Sequence, residues 1–201
     1  VVLSAAVAAV AGAWVFGAGA AVVLFGFTYS YPPRFKERGV WNHVVTTGVD
    51  AGLLVFPVAV LTAGRVAPSI VVAVGVVACY GFGYHVLHQA ADVHFDRQAG
   101  IETFATSLGV GRSVAVAAVA TAAAAGFALA LGYALAALAL GAVTVAYVAL
   151  LDSVRDATPR EATRTVAARF SIAWVATVAN GALAVAVWRH ALGTPIVAAL
   201  C

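Results

Sequence analysis

Asp92 and Asp96 stand four residues apart in the stretch from His85 to Thr103, which reads HVLHQAADVHFDRQAGIET. On a helix that spacing turns both carboxylates toward one face, about one turn apart. Two carboxylates so close resist joint ionisation unless a cation sits between them, and an all-oxygen pair at a membrane–water boundary suits Mg²⁺. Mg²⁺ keeps several waters and is commonly shared with substrate phosphates, so the pair would supply part of a coordination shell. His85, His88 and Gln89 prolong the same stripe into the preceding apolar run. The spacing alone is served equally well by a solvated helix end in which Arg97 neutralises Asp96.

The elements that must position this stretch are overwhelmingly apolar. Of 201 residues, 64% are hydrophobic and 9% charged, and the mean hydropathy is +1.02. Repeated apolar runs of about 17 to 25 residues place the chain in the helical membrane class. With 11 basic and 8 acidic side chains, a water-soluble domain of this length could not cover so much apolar surface. Two cysteines, Cys79 and Cys201, give no basis for a disulfide framework or a Cys-rich metal site. Nothing in the composition points to nucleic acid. The chain opens with Val1 inside an apolar run, contains no Met and has no signal-peptide layout. A single membrane domain over residues 1–201 is therefore expected, as an N-terminally truncated fragment of a larger bundle.

The expected spans run from Val1 to Thr28 (one tilted helix, or the tail of one and a second from Trp14), Asn42 to Ala63, Ile70 to about Ala91, Ser113 to Leu131, Ala134 to Leu151 and Ser171 to Trp188. This is an all-α polytopic bundle of about six to seven spans. Two prolines stop the first run and open the loop TYSYPPRFKERG at residues 28–39. Gly132 and Tyr133 make a tight hairpin between two Ala-rich spans, and a surface helix is expected from Arg160. Alternation puts Arg34, Lys36, Arg38, Arg97, Arg112, Arg155, Arg160, Arg164 and Arg169 on one face, with Arg65 and Arg189 opposite. That asymmetry makes the polar face cytoplasmic.

The segment Gln89-x-x-Asp92-x-x-x-Asp96-Arg97-x-x-Gly100-Ile101-x-Thr103, continuing to Leu108-Gly109, resembles the second aspartate-rich motif of the UbiA superfamily of intramembrane prenyltransferases. The likeness covers the whole pattern Asp-x-x-x-Asp-x-x-x-Gly-x-x-Thr. Tyr29-Ser30-Tyr31-Pro32-Pro33-Arg34-Phe35-Lys36 is similar to the family's Tyr-Ser-x-Pro-Pro loop, with a cation spacing one residue shorter than the commonest form. The order of helices after these motifs agrees too, so the resemblance spans nearly the whole chain.

The resemblance implies a UbiA-like bundle in the cell membrane that moves a prenyl group from an isoprenyl diphosphate to an aromatic or other lipophilic acceptor. It implies that Asp92 and Asp96 bind Mg²⁺, that Lys36, Arg34 and Arg97 neutralise diphosphate oxygens, and that Tyr29 faces the developing carbocation. His85, His88, Gln89 and Asn42 are candidates for the acceptor pocket, against hydrogen-bonded roles in the bundle interior. Asp50 lies inside a span, facing a cavity or pairing with Asn42, Thr46 or Thr47. One departure stands out: the family's first aspartate-rich motif, Asn-Asp-x-x-Asp, is absent and by helix order would precede Val1.

Other readings fit less well. Five histidines are too few for a histidine-box diiron enzyme. A CDP-alcohol phosphotransferase needs Gly four residues before the first Asp, where His88 stands. A transporter or packing subunit would place several charges at mid-membrane depth, and Asp50 alone is clearly interior.

Overall fold

The computed structural model describes residues 13–169 and 177–191, and its regular elements are helical. Helix α1 (Ala13–Ser30) is apolar on every side and ends where Pro32 and Pro33 remove two consecutive backbone donors. Residues 1–12, the start of the expected first span, lie outside the described residues. A 3₁₀ turn at Phe35–Glu37 leads into α2 (Val40–Thr47), a π-helical stretch Gly48–Val55 and α3 (Phe56–Ala63). These last three fill the expected span from Asn42 to Ala63. The widened middle has a local cause, since Pro57 offers no N–H to the carbonyl of Leu53 and its ring crowds the preceding turn.

Helix α4 (Pro68–Ala90) starts with proline at its first turn, where an N–H would lack a partner anyway. It is followed by the short α5 (Val93–Gln98) and α6 (Phe104–Leu108), then α7 (Val110–Ala130), α8 (Ala134–Val154), α9 (Pro159–Val166) and α10 (Asn180–Ala191). Three of these, α4, α7 and α8, are long and apolar enough to cross a membrane, and Phe16–Ser30 and Thr177–Ala186 are shorter apolar helices. The 23 residues of α4 reach about 34 Å, close to the hydrocarbon thickness of a bilayer. Of the last expected span, residues 171–176 lie outside the described residues.

The core is α4 against α7 and α7 against α8, joined at Leu87, Val114, Ala117, Val143, Tyr147 and Leu150. Gly83 permits the closest approach: a Cβ there would lie 3.0 Å from the Ala117 carbonyl oxygen and 3.1 Å from Thr121 Oγ1. Small residues bring helices into backbone contact in this way where lipid offers no hydrophobic drive for association.

Two contacts gather the polar segments at one end of the bundle. Gly39, at the end of the PPRFKERG loop, forms a parallel β-bridge with Thr103. Helix α9, begun by a capping box between Thr158 and Glu161, packs on α5, where the His94 N–H donates to Thr163 Oγ1 at 3.3 Å. The turn containing Arg65 joins α3 to the start of α4 and so lies at the opposite end.

Candidate functional site

The aspartate motif is a short helix together with its two boundaries. The preceding span stops at Ala90, within a residue of the expected Ala91, and Asp92 becomes the N-cap of α5. Its carboxylate makes no capping bond, so both oxygens stay free of the helix's own hydrogen bonding. The Asp96 N–H donates to the Asp92 carbonyl at 2.9 Å, which keeps the two residues one turn apart. At the far end Gly100 takes a φ of +70°. There the Ile101 N–H donates to the Asp96 carbonyl at 2.9 Å and the Gly100 N–H to that of Arg97 at 3.3 Å, the paired bonds of a Schellman ending. Thr103 then caps α6: its Oγ1 accepts from the Thr106 N–H at 3.1 Å, and Thr106 Oγ1 accepts from the Thr103 N–H at 2.7 Å. The Gly and Thr of the pattern are thus the residues that stop one helix and start the next.

A cleft of about 280 Å³ opens beside this motif, lined by Tyr29, Glu37, Asn42, His85, His88, Gln89, Asp92, Asp96, Ile101 and Thr103. Seven candidates from the sequence meet there, namely Tyr29, Asn42, His85, His88, Gln89, Asp92 and Asp96. They arrive from α1, α2, α4 and α5, and the Gly39–Thr103 bridge holds the first loop over the motif. Asp92 is exposed and Asp96 half-buried. Burial, and secondarily the charge of Asp92, push the Asp96 carboxyl above its ordinary value. The donor set is therefore all oxygen and short of positive charge, which fits a hard divalent cation shared with phosphate oxygens. Among the described residues no group of three or more His, Cys, Asp or Glu converges on one point, so Asp92 and Asp96 would be two ligands of a larger set.

Two of the three expected cations, Arg97 and Arg34, line neighbouring clefts. Arg97 lines a neighbouring cleft of about 580 Å³ with Arg38, and its Nη2 donates to the Thr106 carbonyl at 2.6 Å. Arg34 faces a third cleft with Pro32 and Pro33, its Nη1 3.8 Å from Glu37 Oε1. Neither lines the aspartate cleft, although Glu37, Ile101 and Thr103 are walls shared with the Arg97 cleft. Lys36 belongs to the 3₁₀ turn, and its side chain lies outside those described.

Two residues of the site gave no signal in the sequence. His43 is buried, edge-on to Phe82 and Phe104 with ring centroids at 5.1 and 5.2 Å. Its Nε2 lies 3.2 Å from Gln89 Oε1, which also accepts from the Ala105 N–H at 3.4 Å. The backbone donor identifies that Gln89 atom as the oxygen, so the histidine nitrogen facing it carries the proton. Glu37, the acid of the PPRFKERG loop, is a third carboxylate at the cleft, legible only once the loop is folded over the motif.

One turn further into the bundle lies a smaller apolar cavity of about 140 Å³, lined by Phe25, Gly26, Tyr29, Val45, Thr46, Val49, Asp50 and His85. Tyr29 and His85 are common to both spaces. A model of the UbiA prenyltransferase family matches residues 1–175, a stretch that contains both. No curated protein and no solved structure matches the chain.

Proposed function

The chain belongs to the UbiA prenyltransferase family, and from that premise we propose that it transfers a prenyl group from an isoprenyl diphosphate to a lipophilic acceptor within the membrane, with Mg²⁺ at Asp92 and Asp96. The observation that carries the reading is the single cleft in which Tyr29 of one motif meets Asp92 and Asp96 of the other.

In this reading the two aspartates hold the cation, whose positive charge screens the diphosphate as the allylic C–O bond ionises. Gln89 is clamped through its oxygen by His43 and Ala105, which leaves its amide NH₂ as a donor toward the diphosphate. Tyr29 presents an aromatic ring where cleft and cavity join, suited to a developing allylic cation. The apolar cavity receives the start of the prenyl chain. Lys36, Arg34 and Arg97 supply positive charge toward the diphosphate, the two arginines from adjoining clefts. Asn42 and His88 shape the acceptor side. Nine of eleven basic residues fall on the face that carries the motifs, which makes that face cytoplasmic in a cell membrane.

The test is Mg²⁺-dependent release of diphosphate by the full-length protein in proteoliposomes, compared with Asp92→Ala. A loss of about a hundredfold or more is expected for removal of a charged group that stabilises the ionising bond. Equal turnover of variant and wild type would reject the metal role.

A further inference from the structure

We infer that His85 and Asp50 form a proton-accepting pair for the acceptor, at the junction of the aspartate cleft and the apolar cavity; this rests on the transferase reading above. His85 Nε2 lies 3.6 Å from Asp50 Oδ2. The pair joins two helices that share no sequence neighbourhood, α4 and the π-helical stretch before α3.

Each member is unusual in its place. Asp50 is an acid in the middle of an apolar span, in a cavity walled by Phe25, Val45 and Val49. Acids within such spans face a cavity or a partner, and this one, its side chain half-buried, has both. It sits in the third position of the π-helical stretch. Such widened turns re-aim side chains and recur at functional sites. His85 lines the aspartate cleft and the apolar cavity alike, so its imidazole stands between the place proposed for the diphosphate and the place proposed for the prenyl chain. An acceptor attacking the first prenyl carbon must pass this junction.

Prenyl transfer releases one proton from the acceptor, which a base placed at this junction would collect. The C1–O bond breaks and its electron pair leaves with the diphosphate, while the acceptor's nucleophilic atom forms the new bond to C1. The acceptor must then lose the proton it carried. The Asp50 carboxylate, 3.6 Å from Nε2, favours the tautomer protonated on that nitrogen, which leaves Nδ1 of His85 to take the proton, and the same carboxylate balances the resulting imidazolium. The aqueous cleft then carries the proton away. Other titratable groups facing His85 are Tyr29 from α1, His43 from α2, Tyr84 and His88 on its own helix, and Asp92 across the cleft. Glu37 and Asp96 line the same cleft, and among the described residues Asp50 is the acid within 4 Å of the imidazole.

The experiment uses the full-length protein in proteoliposomes with Mg²⁺, farnesyl diphosphate as donor, and a panel of phenols and hydroquinones as acceptors. His85→Gln is expected to lower kcat about 100-fold with the donor KM held within twofold, as for loss of a general base. Asp50→Asn, nearly isosteric, is expected to lower kcat about tenfold, and the double variant to be no slower than His85→Gln. Imidazole added to His85→Ala should restore turnover in proportion to its concentration, an effect that a purely structural role would not give. Wild-type turnover by His85→Gln, or failure of imidazole to rescue a His85→Ala protein that binds donor normally, overturns the inference and leaves the transferase reading intact. A wild-type protein that releases no diphosphate overturns both.

Discussion

His43 Nε2 and Gln89 Oε1, 46 positions apart in the chain, meet at 3.2 Å inside the bundle. Through that contact α2 sets the orientation of a side chain at the start of the aspartate motif, with Phe82 and Phe104 both packed edge-on against the imidazole. His43→Phe keeps the aromatic packing and removes the donor. Stability should fall by about 1 kcal/mol, the usual net worth of one hydrogen bond, read as a lower thermal midpoint in detergent. Turnover should fall severalfold, and adding Gln89→Leu in the same protein should cost little more, because the two act as one unit. Additive losses would show that Gln89 works without His43.

The raised Asp96 carboxyl gives a pH dependence with a definite sign. Its proton is held more tightly in the folded chain than in the unfolded one, so metal-free stability falls as pH rises from the ordinary carboxylate value through the raised one. Asp96→Asn removes the charge that causes this. Without divalent metal, the variant should melt above wild type at pH 7 and level with it at pH 3. Mg²⁺ should raise the wild-type midpoint and leave the variant's nearly unchanged. Identical midpoints at pH 7 in the absence of metal would contradict the assignment.

Gly100 ends α5 in a left-handed conformation that other residues adopt at a cost of about 1–2 kcal/mol. Gly100→Ala should lose about that much stability. Asn tolerates this region better, so Gly100→Asn should lose less. Because the same turn ties the Asp96 carbonyl to Ile101, a wall of the cleft, turnover should track the stability order of the three proteins. A Gly100→Ala protein as stable and active as wild type would remove the turn from the account.

Hydropathy made the long helices legible. The expected span Ile70 to Ala91 lies within a residue or two of α4, and Gly132-Tyr133 is the hairpin between α7 and α8. The loop at residues 28–39 and the helix beginning near Arg160 were equally plain, because prolines and a Thr158–Glu161 capping box punctuate the chain locally. Most of the cleft could also be read, since its residues cluster in two short motifs. What could not be read depends on contacts between helices. His43 is one more apolar-span residue until Gln89 reaches it, and Glu37 belongs to a cationic loop until Thr103 bonds Gly39. Arg97 was drawn toward Asp96 by adjacency in sequence, whereas the Thr106 carbonyl, nine residues on, holds its guanidinium in another cleft.

The bridge between Gly39 and Thr103 also bears on how the protein is made. Between those positions lie two passages through the apolar bundle, α2 to α3 and then α4. A nascent chain that has inserted α1 and α2 already carries Tyr29, Lys36 and Asn42, but has no carboxylate pair and no far wall. The cleft comes into existence when residue 103 returns to the side where residue 39 waits, so the site assembles only after both passages are threaded into the bilayer. A chain stalled between them would present its basic loop to the membrane surface with nothing folded against it.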